Sequence, residues 1–88
     1  MSYQVLLHPK AHAFLEKVDA DLQERIRNRP LSLGPDPEGG TRLRHSEYWR
    51  LRIGDYRAVY EIDHERKRVV ILFLGHRRDV HDDFSRLL

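Results

Sequence analysis

Eighty-eight residues without a cysteine leave room for one domain, spanning residues 1–88, with a small core and no disulfide or thiolate zinc site to brace it. No apolar run approaches the roughly 20 residues needed to cross a bilayer, and MSYQVLLHPKAH lacks the basic, apolar and small-residue order of a signal peptide, so a soluble cytoplasmic protein with no membrane partner is expected. The net charge of +2 conceals a skew: residues 41–78 hold ten Lys/Arg against five acids, whereas residues 1–40 hold five against six and residues 79–88 one against three.

Residues 3–7 (YQVLL) are short, β-prone and followed by His8-Pro9, which reads as a first strand. Pro9 suits the first helical position, where a missing N–H costs nothing. Ala13, Phe14 and Val18 then recur at helical spacing over about 9–18. Asp19 is a candidate N-cap for a second helix that carries Leu22 and Ile26 on one face and Arg25 and Arg29 on another. Pro30 should end or kink that helix, and GPDPEGG over 34–40 is a loop.

After the loop the period changes to two. Trp49, Leu51 and Ile53 alternate with Tyr48, Arg50 and Arg52, Gly54-Asp55 interrupts, and the alternation resumes over 56–62. A two-residue loop opening with Gly suits a type II′ hairpin turn. Such a turn sets the register: Ile53 faces Tyr56, Arg52 faces Arg57, Arg50 faces Val59, Trp49 faces Tyr60 and Tyr48 faces Glu61. One face then collects Trp49, Leu51, Ile53, Tyr56, Ala58 and Tyr60, and must cover the helices. The other collects Tyr48, Arg50, Arg52, Arg57 and Glu61. Residues 69–74 (VVILFL) lack alternation, as a strand covered on both sides does. The charged turn HERK (64–67) precedes them, GHRR (75–78) closes the strand, and residues 79–88 have the makings of a short terminal helix. The expected fold is α+β, with the order β-α-α-β-β-β and a small, largely antiparallel sheet packed on a helical hairpin.

Thirteen of the sixteen basic residues are arginine, a rigid and permanently charged fork suited to phosphate oxygens. Genome composition accounts for arginine-rich usage equally well, but not for its clustering. Arg52 directly across from Arg57 destabilises the strand pair by some tenths of a kcal/mol. Two readings meet here. The arginines form a solvated face, their stems covering apolar surface and Glu47, Asp55 or Glu61 balancing the field. Alternatively they form an anion site, in which guanidinium groups converge on a phosphate and stabilise charge developing during its displacement, with Arg77 and Arg78 as further members. His76 and His81 titrate near neutrality when unperturbed and are the candidate general acids or bases; a structural hydrogen-bonding role is the alternative. Neither zinc-type spacing nor a glycine-rich phosphate loop nor Gly-x-Ser-x-Gly occurs, and no metal or cofactor is expected.

The stretch WRLRIGDYRAVYEI (49–62), the apolar strand after it and GHRRDV (75–80) together resemble the signature of the RelE/ParE toxin superfamily. TRLR (41–44) resembles the short basic segment that leads into that signature, and the N-terminal strand, Pro9-Lys10-Ala11 and the two helices agree in order. The resemblance implies a toxin of a type II toxin–antitoxin pair with a cognate antitoxin as partner. In the RelE branch it implies an endoribonuclease that works with the ribosome on messenger RNA. The ribose 2′-OH attacks the adjacent phosphate in the ribosomal A site without a metal, leaving a cyclic phosphate and a free 5′-OH. By position, Arg57 and Arg77 match the arginines that stabilise the phosphorane-like charge, and Arg50 stands where some members carry a catalytic lysine. His81 stands where many carry a catalytic tyrosine. Arg52 matches a basic position in contact with RNA backbone, and Arg42, Arg44, His76 and Arg78 complete the implied RNA-binding set. In the ParE branch the implied activity is different: inhibition of DNA gyrase without nuclease chemistry.

Overall fold

The computed structural model describes residues 2–43 and 46–76. Strand β1 (Gln4–Leu7) leads into helices α1 (Pro9–Lys17) and α2 (Ala20–Leu31). Strands β2 (Thr41–Arg42), β3 (Tyr48–Ile53), β4 (Tyr56–Asp63) and β5 (Arg68–His76) follow. The strands form one mixed sheet in the order β1-β5-β4-β3-β2, with β1 parallel to β5 and the remaining neighbours antiparallel. The α+β architecture expected from sequence is present, with one addition: the basic segment ahead of the hairpin supplies a two-residue edge strand.

Local chemistry explains where each helix starts and stops. Pro9 occupies the first turn of α1, and the His8 side chain accepts the Lys10 N–H. Asp19 caps α2, its Oδ1 accepting the Leu22 N–H at 2.9 Å. Pro30 neither ends nor breaks α2, which runs one residue further to Leu31. The proline sits in the last turn, so it removes a single helical hydrogen bond, and it is buried. Beyond it the Ser32 and Leu33 N–H groups close tight turns onto the Arg29 and Pro30 carbonyls. A side-chain bond joins the two helices, with Gln23 Nε2 donating to the Leu15 carbonyl at 2.9 Å.

The hairpin register is the one the two-residue turn dictates, pair for pair from Ile53↔Tyr56 to Tyr48↔Glu61. Gly54 takes φ +59° while Asp55 stays at negative φ, as a type II′ turn requires. Leu51, Ile53, Ala58 and Tyr60 thereby face Ala11, Leu15, Ile26 and Leu33 from the helical side, together with Val69, Ile71 and Leu74 of β5. Tyr60 is wholly buried at the centre of the sheet and stacks on Trp49, ring centroids 6.2 Å apart. Its hydroxyl donates to the Pro37 carbonyl at 2.8 Å and accepts the Gly40 N–H at 3.1 Å, which pins the 34–40 loop to the core. A Cβ at Gly40 would run into the Arg50 carbonyl oxygen and the Tyr60 hydroxyl, so the loop can enter β2 only at a glycine.

Strand β5 carries an irregularity that sequence periodicity does not show. Val59 pairs with Phe73 but Tyr60 pairs with Ile71, leaving Leu72 as an extra residue. The bulge reverses the alternation beyond it. Leu74 and His76 turn to the helix side, whereas Phe73 and Gly75 lie on the outer face beside Val59 and Arg57. The strand is also longer than the 69–74 core, because Gly75 and His76 continue the ladder opposite Arg57 and Tyr56.

Two stability effects follow from these contacts. Asp19→Ala should lower the unfolding free energy by about 1 kcal/mol in urea melts. Tyr60→Phe should cost about 1–3 kcal/mol by leaving the part-buried Gly40 N–H without its acceptor. Burial raises the Tyr60 pKa above the ordinary tyrosine value, with the Gly40 bond opposing part of the rise. The fold therefore favours the neutral phenol. That contribution is complete below the unfolded pKa of about 10 and is lost as pH rises through it towards the folded value. Melts above pH ~10 should show wild type losing more stability than Tyr60→Phe.

Candidate nucleic-acid interface

The outer face of the sheet, away from the helices, is organised in rows by strand register. One row runs Arg52–Arg57–Gly75 across β3, β4 and β5, and the next runs Arg50–Val59–Phe73. Neighbouring strands lie about 4.8 Å apart, so three guanidinium groups issue from one small patch. Arg52 is exposed, and Arg50 and Arg57 are half-buried. Gly75 contributes no side chain to its row and is itself buried. Two like charges directly opposed across a strand pair repel; an anion seated between them turns the same placement into two charge-assisted hydrogen-bonding forks.

This face is less polar than its sequence pattern implies. Val59, set between Arg50 and Phe73, is 1% exposed and packs with Leu43, Tyr48, Leu72 and Phe73 in a second, smaller apolar cluster. Lys10, in the first turn of α1, brings its ammonium 5.4 Å from the centroid of the Phe73 ring, a cation–π contact worth about 0.5–1 kcal/mol at an exposed site. Sequence reasoning gave Lys10 no role. Its proximity to this face depends on the parallel β1–β5 pairing and on the bulge that turns Phe73 outward, and neither has a local signature.

Two residues expected among the RNA contacts stand apart from the arginine row. Arg42 pairs with Trp49, shares that residue's side of the sheet, and lines a recess of about 350 Å³ with Glu38, Glu47 and Glu61. Its Nε donates to the Ser46 carbonyl at 3.1 Å. Carboxylates and a carbonyl already occupy its neighbourhood. His76 meets the Tyr56 ring edge to face at 5.3 Å on the helix side, a consequence of the extra residue at Leu72. Arg44, Arg77, Arg78 and His81 lie outside the described residues. The structure thus brings together Arg50, Arg52 and Arg57. These guanidinium groups offer hydrogen-bond donors and no acceptor, so what they can do is bind and neutralise an anion.

The family model for the ParE toxin of type II toxin–antitoxin systems (parDE) matches residues 5–81. Among solved structures, the chain is similar to one from the RelBE2 toxin–antitoxin complex of Mycobacterium tuberculosis, at 30% identity over 88% of this chain and 93% of that one, with a TM-score of 0.80. It is similar also to one from the archaeal RelE–RelB complex of Pyrococcus horikoshii, at 25% identity over 91% and 100% of the two chains and a TM-score of 0.74. A variant of the E. coli toxin RelE in the free state has the same fold at 19% identity, with full coverage of both chains and a TM-score of 0.77. No curated protein sequence matches at a significant level. A family match running from β1 past β5, on a RelE-like fold, settles the assignment: the chain belongs to the ParE-toxin family of type II toxin–antitoxin systems, within the RelE/ParE superfamily.

Proposed function

We propose that the chain is a metal-independent endoribonuclease that cleaves messenger RNA in the ribosomal A site and is neutralised in the cytoplasm by a cognate antitoxin. The observation that carries this reading is the opposition of Arg52 and Arg57 on the outer face, with Arg50 in the adjoining row. Antitoxin control is supported by the similar chains of M. tuberculosis and P. horikoshii, both solved in toxin–antitoxin complexes.

In the proposed step the ribose 2′-oxygen forms a bond to the adjacent phosphorus as the bond from phosphorus to the 5′-oxygen breaks. The 2′-hydroxyl proton leaves with a base, and the departing 5′-oxygen gains a proton to become the free 5′-OH. The pentavalent intermediate carries more negative charge on its non-bridging oxygens than the ground-state diester does. Arg57, with Arg77, stabilises that charge where it develops. Arg50 holds the reacting phosphate and orients the 2′-oxygen, without taking its proton. Arg52, joined by Arg44 and Arg78, holds the RNA backbone. Proton transfer falls to His81, whose neutral imidazole accepts a proton near pH 7. Arg42 and His76, which lie off the row, take no part in this chemistry.

A second reading has its own support, since the matching family model is that of ParE toxins. In it the chain inhibits DNA gyrase, messages stay whole, and the arginines serve partner recognition.

Mapping RNA ends in a translating extract separates the two. The purified protein should produce new 5′-OH ends within codons, and Arg57→Ala or Arg77→Ala should slow their appearance about 10²–10³-fold. Uncut message at stoichiometric protein, or wild-type cleavage by both variants, would sink the nuclease reading. A supercoiling assay with purified gyrase supplies the complementary readout: inhibition by the chain, with messages intact, establishes the ParE-like activity.

A further inference from the structure

Strand β1 ends at Leu7, paired with Ile71, and the His8 N–H donates to the Ile71 carbonyl at 2.8 Å. Beyond that point β5 has β4 as its only strand neighbour among the described residues, and the first turn of α1 begins there. Lys10 is exposed on that turn, and its ammonium stands 5.4 Å from the centroid of the Phe73 ring. The contact carries a positive charge around the sheet edge to the outer face, at the end of the row Arg50–Val59–Phe73.

Helix stability does not account for a lysine at this place. The positive end of a helix dipole lies at the N-terminus and favours anions there, yet the first turn of α1 holds Lys10 and no acidic residue. No carboxylate pairs with the Lys10 ammonium among the described residues. Arg42 is the contrast, with Glu38, Glu47 and Glu61 around its recess and the Ser46 carbonyl on its Nε. An aromatic face attracts the ammonium and narrows the range of a flexible stem. It does not replace the acceptors that three N–H donors require. The charge is thus held in position and left able to take an anion.

The ground between the cations sets the class of that anion. Val59, Leu72 and Phe73 make an apolar floor, with Arg50 and Lys10 at its two sides and the Arg52–Arg57 pair in the adjoining row. Cations flanking an apolar, aromatic surface suit a single nucleic-acid strand, whose phosphates meet the charges while sugar and base lie over the floor. One strand intervenes between Arg50 and Phe73, which sets their backbones about 10 Å apart. A phosphate held at Arg50 therefore leaves Lys10 to a neighbouring one.

We propose that Lys10 binds a phosphate of the messenger RNA next to the one that reacts, and that Phe73 is the positioning residue that holds the ammonium there. The inference rests on the nuclease reading and extends the RNA track past Arg50 onto α1.

The test measures binding and cleavage on ribosomes programmed with a short synthetic message. For binding, the A-site codon carries 2′-deoxy sugars, which removes the nucleophile. Lys10→Ala should weaken binding about tenfold and reduce the slope of log K against log salt by roughly 0.7, the loss of one phosphate contact on a single strand. On cleavable message it should raise KM about tenfold and leave kcat within about twofold. Lys10→Arg should restore binding. Phe73→Leu, which keeps an apolar side chain beside Val59, should show part of the same loss, and Lys17→Ala, at the far end of α1, none. A methylphosphonate at a phosphate flanking the reacting one should weaken the wild type and leave Lys10→Ala unaffected. Wild-type binding, salt slope and KM in Lys10→Ala, on message that the wild type cuts, overturn the inference and spare the nuclease reading. Message left whole by the wild type overturns both. Weakened binding in Lys10→Ala that no methylphosphonate reproduces gives the phosphate to ribosomal RNA and overturns its assignment to the message.

Discussion

Slide β3 along β4 by a single residue and Arg50 and Arg52 would point into the helices, while Leu51 and Ile53 would face solvent. The Gly54-Asp55 turn is what prevents this. A two-residue connection admits one register, and the left-handed backbone it needs at its first position is supplied by a glycine. From that register follow the burial of Tyr60, its stacking on Trp49, the anchoring of the 34–40 loop through its hydroxyl, and the opposition of Arg52 to Arg57. Core and charged patch are two faces of one constraint, so the arginines are placed by the same interactions that hold the sheet on its helices.

Features with local causes were legible in the sequence. Asp19 as a cap, Pro9 in the first turn of α1, the change of period after the loop and the pairing of each residue in the β3–β4 hairpin need only the neighbouring residues to be read. Features with distant causes were not. The bulge at Leu72 sits in a run of apolar residues where alternation carries no signal, and it alone decides that His76 joins Tyr56 instead of Arg57. Lys10 meets Phe73 only because β1 pairs with β5 across the length of the chain. Arg42 reads as one more basic residue leading into the hairpin, yet the glutamates around its recess come from the loop, the β2–β3 connection and β4. Charge in sequence reports how many arginines there are; register and bulges determine which of them meet.

The parallel pairing of β1 with β5 has a consequence for how the molecule comes into being. Gln4–Leu7 must wait for Arg68–His76 before their ladder can close, so a contact of high sequence separation gates completion of the sheet. During synthesis the N-terminal strand and both helices leave the ribosome before their covering strand exists, and the arginine hairpin cannot be clamped from its β5 side until Arg68–His76 has been made. The arginine face therefore gains its last neighbour only once β5 has been made, and any shorter chain carries the hairpin without the strand that braces it.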